Sequence, residues 1–433
     1  AGHAAQAGLL DELLIDDGFL LHAELDRVLR VAGAATTEAG RARIALLQRT
    51  PGALTASAGE RAARFSVVDR LDGLNANVGV YDAPYHAAWA HTPPRQERTV
   101  LEGHAQAVYD VASIPIQGRN LLASAGEDGD VRFWDPLTNQ PERVMHCHDD
   151  CVRGLCAIRT AGETLLATAG HDGTVRLWDP VSRQLVHEMR GHREWIRNIC
   201  ALPAGDSDLL VSAGDDWNVR IWDPATGTLV RTLDGHTGWV TAVTHIAVDG
   251  RHLIASTGYD GTVRVWDPLA GREIRRMAGH IGWVTTLYAV TTARRTLIAS
   301  GGYDGTVRLW NPLTGAEAGR FTTGGPVTDL CTVDAPSGLL LVATGEDGAI
   351  RIWDVATHQE RPSLYGHASW IRAVCELPMP DRRVLATAGD DGTVRLWDPD
   401  GALSGPVADG RRLRAVTSLC TVVVDGREIV AST

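Results

Sequence analysis

The ten residues "GHTGWVTAVT" at positions 235–244 decide how this chain is read, because they recur. "GHREWIRNIC" (191–200), "GHIGWVTTLY" (279–288) and "GHASWIRAVC" (366–375) repeat the order of a Gly-His pair, a Trp and an alternating apolar run. Downstream of each stands a second word, Trp-Asp or once Trp-Asn. Trp134, Trp178, Trp222, Trp266, Trp310, Trp353 and Trp397 follow one another at 44, 44, 44, 44, 43 and 44 residues. A constant period of this kind means a row of equal supersecondary units, each unable to bury its apolar face alone.

One unit, residues 235–278, shows what is repeated. "WVTAVTHIAV", "RHLIAST" and "GTVRVWD" alternate apolar and polar residues, the period of a half-buried strand. Asp260-Gly261 suits a tight turn that needs positive φ, and "DPLAG" (267–271) supplies a second turn before a fourth strand, "REIRRMA". Four strands a to d per period in the forties predict an all-β propeller built of four-stranded blades. Seven full repeats and half of an eighth are present, with seven blades favoured over eight.

The polar residues keep fixed offsets. His236 lies 20 before Ser256, which lies 4 before Asp260, which lies 6 before Trp266. The same offsets give His104, Ser124, Asp128 and Trp134; His148, Thr168, Asp172 and Trp178; and His192, Ser212, Asp216 and Trp222. They return as His280, Ser300, Asp304 and Trp310, and as His367, Thr387, Asp391 and Trp397. On these residues the chain resembles the WD40-repeat family, which implies that each set forms a structural tetrad, a buried hydrogen-bond chain from indole to hydroxyl to imidazole to carboxylate. The donor and acceptor inventory of those groups allows every member to be satisfied. The Ser-His-Asp content therefore reads as framework used six times over, and no catalytic residue is expected. Repeat six departs from the pattern: it keeps Asp347 and Trp353, but "TTGGPVTDL" replaces the His and Ala343 the hydroxyl. The Arg two positions before each Trp (Arg132, Arg176, Arg220, Arg264, Arg308, Arg351, Arg395) shares the strand face of that Trp. Stacking and inter-blade packing are its expected roles.

Composition narrows the function classes. The 433 residues carry a formal charge of −12, and all 41 basic residues are Arg. A basic footprint for nucleic acid is missing, and a chain without Lys has no phosphate-loop, Schiff-base or general-base lysine. No apolar run of membrane-spanning length and no secretory signal is visible, so a cytoplasmic location is expected and a membrane partner is not. Cys156, Cys200, Cys331 and Cys375 share one repeat position and read as inner-strand packing in a reducing compartment. "HCHDDC" (146–151) crowds soft ligands, but Cys147 and His148 replace a Gly-His pair and Cys151 replaces a Trp. The four-ligand spacing of a structural zinc is absent, so no metal and no cofactor is expected.

The flanks are of different material. After repeat seven, "RAVTSLCTVVVDGREIVAST" matches strands a and b of an eighth unit. Before repeat one, Trp89 in "YHAAWAHT" stands where a degenerate strand c would fall, with "ERTVLE" following as d. Either these four strands close an eighth blade, or seven blades close and the tail belongs to a next propeller. The chain begins with Ala and stops in mid-repeat, which suggests a segment of something longer. Residues 1–75 read as a helical segment, 76–102 as a linker with entry strands, and 103–433 as the propeller. Apolar residues at helical spacing run through "LLDELLIDDGFLLHAELDRVLRVAG" with a turn at Asp16-Asp17-Gly18, then through "EAGRARIALLQRT", with a shorter third helix in "AGERAARFSVV". This stretch resembles the helical junction before the WD40 sensor of bacterial STAND-type NTPases, as "DDGFLLHAE" and a Trp-containing segment ahead of the first Gly-His suggest. No Walker A sequence occurs in the chain, so the resemblance implies an ATPase outside it.

Trp239 is not the Trp of its tetrad. Trp195, Trp239, Trp283 and Trp370 share a position where the other repeats have Ala107, Cys151 and Pro326, so an arc of indoles is expected at one end of the central channel. Packing alone would act on every blade. Trp217 replaces a turn Gly near that end, and Tyr259 and Tyr303 occupy equivalent turns. Exposed aromatic clusters mark contact surfaces, so these seven residues are the expected binding site for a protein or peptide partner. The chain reads as a non-catalytic sensing or docking platform, with a constitutive scaffold as the alternative, and its oligomeric state is not legible.

Overall fold

The computed structural model describes residues 9–25, 28, 35–48, 50, 57–72, 76, 85–91, 97–160, 162–292, 295–379, 382–399, 419–424 and 427–432. By contacts these fall into two compact units, one of residues 1–99, 137–140 and 401–433, the other of 100–136 and 141–400.

The larger unit is a seven-bladed β-propeller. Blade four shows the plan: strands Val240–Val248, Arg251–Gly258, Thr262–Asp267 and Arg272–Ala278 pair antiparallel in chain order. Blades one to six repeat this order. Blade seven has strands Ile371–Pro378, Arg383–Gly389 and Thr393–Trp397, and its outer strand is Glu97–Glu102, supplied from the other end of the sequence. "ERTVLE" is thus an outer strand as expected, but of blade seven. The seven strands a contact one another in sequence and the last contacts the first, which closes the ring.

The half repeat does not enter that ring. Leu419–Val424 and Arg427–Ser432 form a separate three-stranded sheet with Tyr85–His91. Its order puts the Trp89 strand beside the first strand of the half repeat, whereas strand c of a blade pairs with strand b. Trp89 therefore does not take a strand-c position.

Apolar strand faces meet between blades. Leu202, Val211, Ile221 and Leu233 of blade three close one core with Val240, Val243, Ile254 and Trp266 of blade four. Strand a carries a β-bulge at one site in all seven blades, skipping Tyr109, Arg153, Arg197, Thr241, Thr285, Thr328 and Arg372 in the pairing register. A bulge leaves its extra residue unpaired and re-aims the side chain. Polar residues one place further along cross the blade gaps: Asp110, Asn198 and Asp329 accept the backbone N–H of Leu155, Val243 and Val374 of the next blade, at 2.7, 3.0 and 2.8 Å.

Among the described residues of the smaller unit the helices are Leu10–Ile15, Asp17–His22, Glu38–Gln48 and Ala58–Asp72. The first break falls at Asp16, whose carboxylate caps the second helix by accepting from Phe19 N at 3.1 Å. The last helix, expected to be short, is the longest at 15 residues. At its start Ser57 donates its backbone N–H and its hydroxyl to the Glu60 carboxylate, at 3.1 and 3.0 Å, and Phe65 is buried among Leu14, Leu20, Leu25 and Leu47. Among the described residues no helix is long and apolar enough to cross a membrane.

Candidate interaction site

Six blades carry the expected hydrogen-bond chain. Trp134, Trp178, Trp222, Trp266, Trp310 and Trp397 donate Nε1–H to the hydroxyls of Ser124, Thr168, Ser212, Ser256, Ser300 and Thr387 at 2.7–3.0 Å. Those hydroxyls meet Nε2 of His104, His148, His192, His236, His280 and His367 at 2.7–2.9 Å. Each Nδ1 meets Asp128, Asp172, Asp216, Asp260, Asp304 or Asp391 at 2.9–3.1 Å. Since an ionised carboxylate only accepts, Nδ1 carries the proton and Nε2 accepts from the hydroxyl. Burial pushes the carboxyls of Asp172, Asp216, Asp260 and Asp391 up, but the hydrogen bonds from His, from the neighbouring Thr or Arg and from backbone N–H groups, with the His charge, together outweigh it and hold them well below the usual range. Burial also lowers His192 and His280, keeping them neutral. All six hydroxyl residues are fully buried, so none can meet a substrate as a nucleophile.

The Arg before each WD Trp has a different role from stacking. In all seven blades it ion-pairs with the Asp four residues earlier, across the b–c turn, at distances from 2.5 Å (Arg351–Asp347) to 3.9 Å (Arg308–Asp304). The turn folds the strand back over that span, bringing charges together that a face-by-face reading of the strand keeps apart. In blade six Arg351 holds Asp347 where the His is missing, and Thr323 Oγ1 donates to the carbonyls of Gly305 and Gly325.

At the end of the channel where strands a begin, the aromatic residues gather. Trp195, Trp217, Trp239, Trp283, Tyr303 and Trp370 keep 38–51% of their surface exposed, and Tyr259 is partly buried. Trp239 and Tyr259 lie 4.9 Å apart, Tyr259 and Trp283 stack at 4.3 Å with an interplanar angle of 4°, and Trp283 and Tyr303 lie 5.2 Å apart. Trp195 stacks on His171 at 4.0 Å. The rings thus pack across blade gaps and still present a face to solvent. Tyr259, Trp283, Tyr303 and Trp370 line a cavity of about 340 Å³ at the channel mouth. Trp239 continues that surface through Tyr259, whereas Trp217 makes no ring contact among the described residues.

The same cavity holds residues that the repeat pattern did not bring forward: the bulge residues Tyr109, Arg153, Arg197 and Arg372. Arg197 lies over the Trp239 ring at 4.8 Å, Arg372 over Trp370 at 4.6 Å, and Arg153 over Tyr109 at 3.9 Å. A sequence signal exists: each bulge residue stands 18 before the residue that opens the b–c turn, as Arg197 before Asp215 and Arg372 before Asp390. Arg197 Nη2 bonds Asp215 at 2.8 Å, and Arg372 bonds Asp390 through two N–H groups at 2.6 and 2.7 Å.

The "HCHDDC" residues do not converge as one ligand set. Cys147 is buried and His148 belongs to a tetrad. Cys151 comes instead within 4.8 Å of ligand atoms of Asp150 and His171. The Arg153 guanidinium already occupies Nε2 of that His, donating to it at 2.8 Å.

The family model for the WD domain, G-beta repeat, matches residues 95–135, 139–179, 183–223, 227–267, 271–311, 318–354 and 359–398. No curated protein matches the chain.

Proposed function

This chain belongs to the WD40 family of G-beta repeats, whose propellers are generally non-catalytic protein-interaction platforms, and from that premise we propose that it captures a peptide segment of a partner protein at the Trp-rich end of its channel. The observation that carries this reading is the connected surface from Trp239 through Tyr259 and Trp283 to Tyr303, half exposed beside a 340 Å³ cavity. Large rigid aromatic rings beside a pocket are the side chains on which binding energy concentrates. The helices of the smaller unit, with their resemblance to a STAND-type junction, support placing the propeller as the sensor of a larger, cytoplasmic bacterial signalling protein. The inter-blade stacking of Trp195 on His171 favours a second reading, a constitutive scaffold whose indoles only pack.

Replacement of Trp195, Trp239 and Trp283 by Ala separates the two. Docking requires partner capture to fall by more than about 30-fold while the midpoint of chemical unfolding moves little. A large loss of stability with capture retained by the folded fraction would establish the scaffold.

A further inference from the structure

Three blades place an Arg on the strand-a bulge, and the three are not equivalent. Arg197 and Arg372 each end on a carboxylate of their own b–c turn, Asp215 and Asp390. In blade two the turn residue at the same offset of 18 is His171, and Arg153 Nε donates to its Nε2 at 2.8 Å. An imidazole that accepts this bond is neutral. Burial, then the charges of Arg153 and Arg197, keep His171 so by lowering its pKa to about 4. His171 orients the guanidinium without cancelling its charge.

No carboxylate lies within ion-pair distance of Arg153 among the described residues. The carboxylates that line the cavity are engaged or held back. Asp110 and Asp329 accept backbone N–H groups across blade gaps, and burial pushes Glu346 up. Arg153 is partly buried against Tyr109 and lines the cavity. A desolvated cation needs an anionic partner, and a guanidinium in this setting matches a carboxylate in a bidentate pair. We infer that the channel mouth at Arg153 is a subsite for an acidic side chain, Asp or Glu, of a bound peptide, with the aromatic arc of blades four and five holding the apolar residues beside it. The inference rests on the peptide-docking reading and gives it a specificity.

Selection of random displayed peptides on the immobilised full chain tests it. The expected result is an Asp or Glu at one fixed position next to apolar residues. A selected peptide synthesised with Gln at that position loses about ten- to hundredfold in affinity, the worth of a charge-assisted bond. Arg153→Gln produces the same loss and no longer distinguishes Glu from Gln, whereas Arg153→Lys keeps part of the preference. Arg251→Gln, on an exposed Arg paired with Asp267, is the control and changes nothing. Peptides without an acidic position, or binding Arg153→Gln as well as the parent, overturn the subsite but leave docking standing. Stronger binding of a phosphoserine peptide than of its Glu counterpart overturns the carboxylate assignment. Failure to select any peptide counts against docking itself.

Discussion

Trp217 occupies the b–c turn of blade three with φ 69°, where the six other blades have glycines at φ 71–76°. A left-handed conformation costs a residue with a side chain about 1–2 kcal/mol, and this indole offsets that cost only in part by burial, being 51% exposed. Trp217→Gly is expected to stabilise the propeller by about 0.5–1 kcal/mol, after the entropy of glycine is allowed for, and to weaken partner capture. Chemical unfolding and a binding titration on one sample check both signs; unchanged capture would remove Trp217 from the contact surface. The ionisable residues give a pH dependence with two opposing parts. The tetrad carboxylates and His171, His192 and His280 have folded pKa values below their unfolded ones. For each the unfolded chain binds more protons in the window between the two values, so stability falls as pH drops below about 6.5 through the His window and again below about 4 through the carboxylate window. Asp110 and Asp329 run the other way: burial raises them to about 8 and about 6, so their contribution is complete below about 4 and is lost as pH rises through those values. Asp110→Asn should therefore leave the thermal midpoint nearly unchanged at pH 4 and raise it at pH 9. An equal shift at both would refute the assignment.

At the scale of the element, the bulge on strand a is the device that builds the mouth. It takes one residue per blade out of the ladder at equivalent positions, and the side chains placed there are Tyr, Arg, Arg, Thr, Thr, Thr and Arg. The bulge cannot be read from alternation, which only marks the strand. Blade six is the element with the weakest polar frame. Ala343 offers no oxygen to Trp353, Thr323 replaces the His, and strand d shrinks to Leu364–Tyr365. Each missing tetrad bond is worth about 1 kcal/mol. Amide exchange in Val327–Ala335 and Gly338–Gly345 should thus outpace that in Val240–Val248 and Arg251–Gly258 of blade four. Equal, slow exchange in both would show that packing alone sets blade rigidity.

For the whole molecule, closure is decided by Glu97–Glu102, which completes blade seven from the opposite end of the sequence. Removing the chain through Glu102 is expected to expose the edge of Thr393–Trp397 and to produce self-association visible by size-exclusion chromatography, since an unpaired edge strand recruits another; a stable, monomeric truncation would show that closure is dispensable. Repeat count, strand order within a blade and the six tetrads were legible in the sequence because each is local. A hairpin, a turn glycine and a four-residue hydrogen-bond chain all lie within one 44-residue period, and the pattern recurs whatever surrounds it. The partners of the half repeat and the unneutralised Arg153 were decided only by tertiary structure. Those depend on strands remote in sequence meeting edge to edge, and on charges that periodicity spaces alike but that the closed ring brings to one mouth.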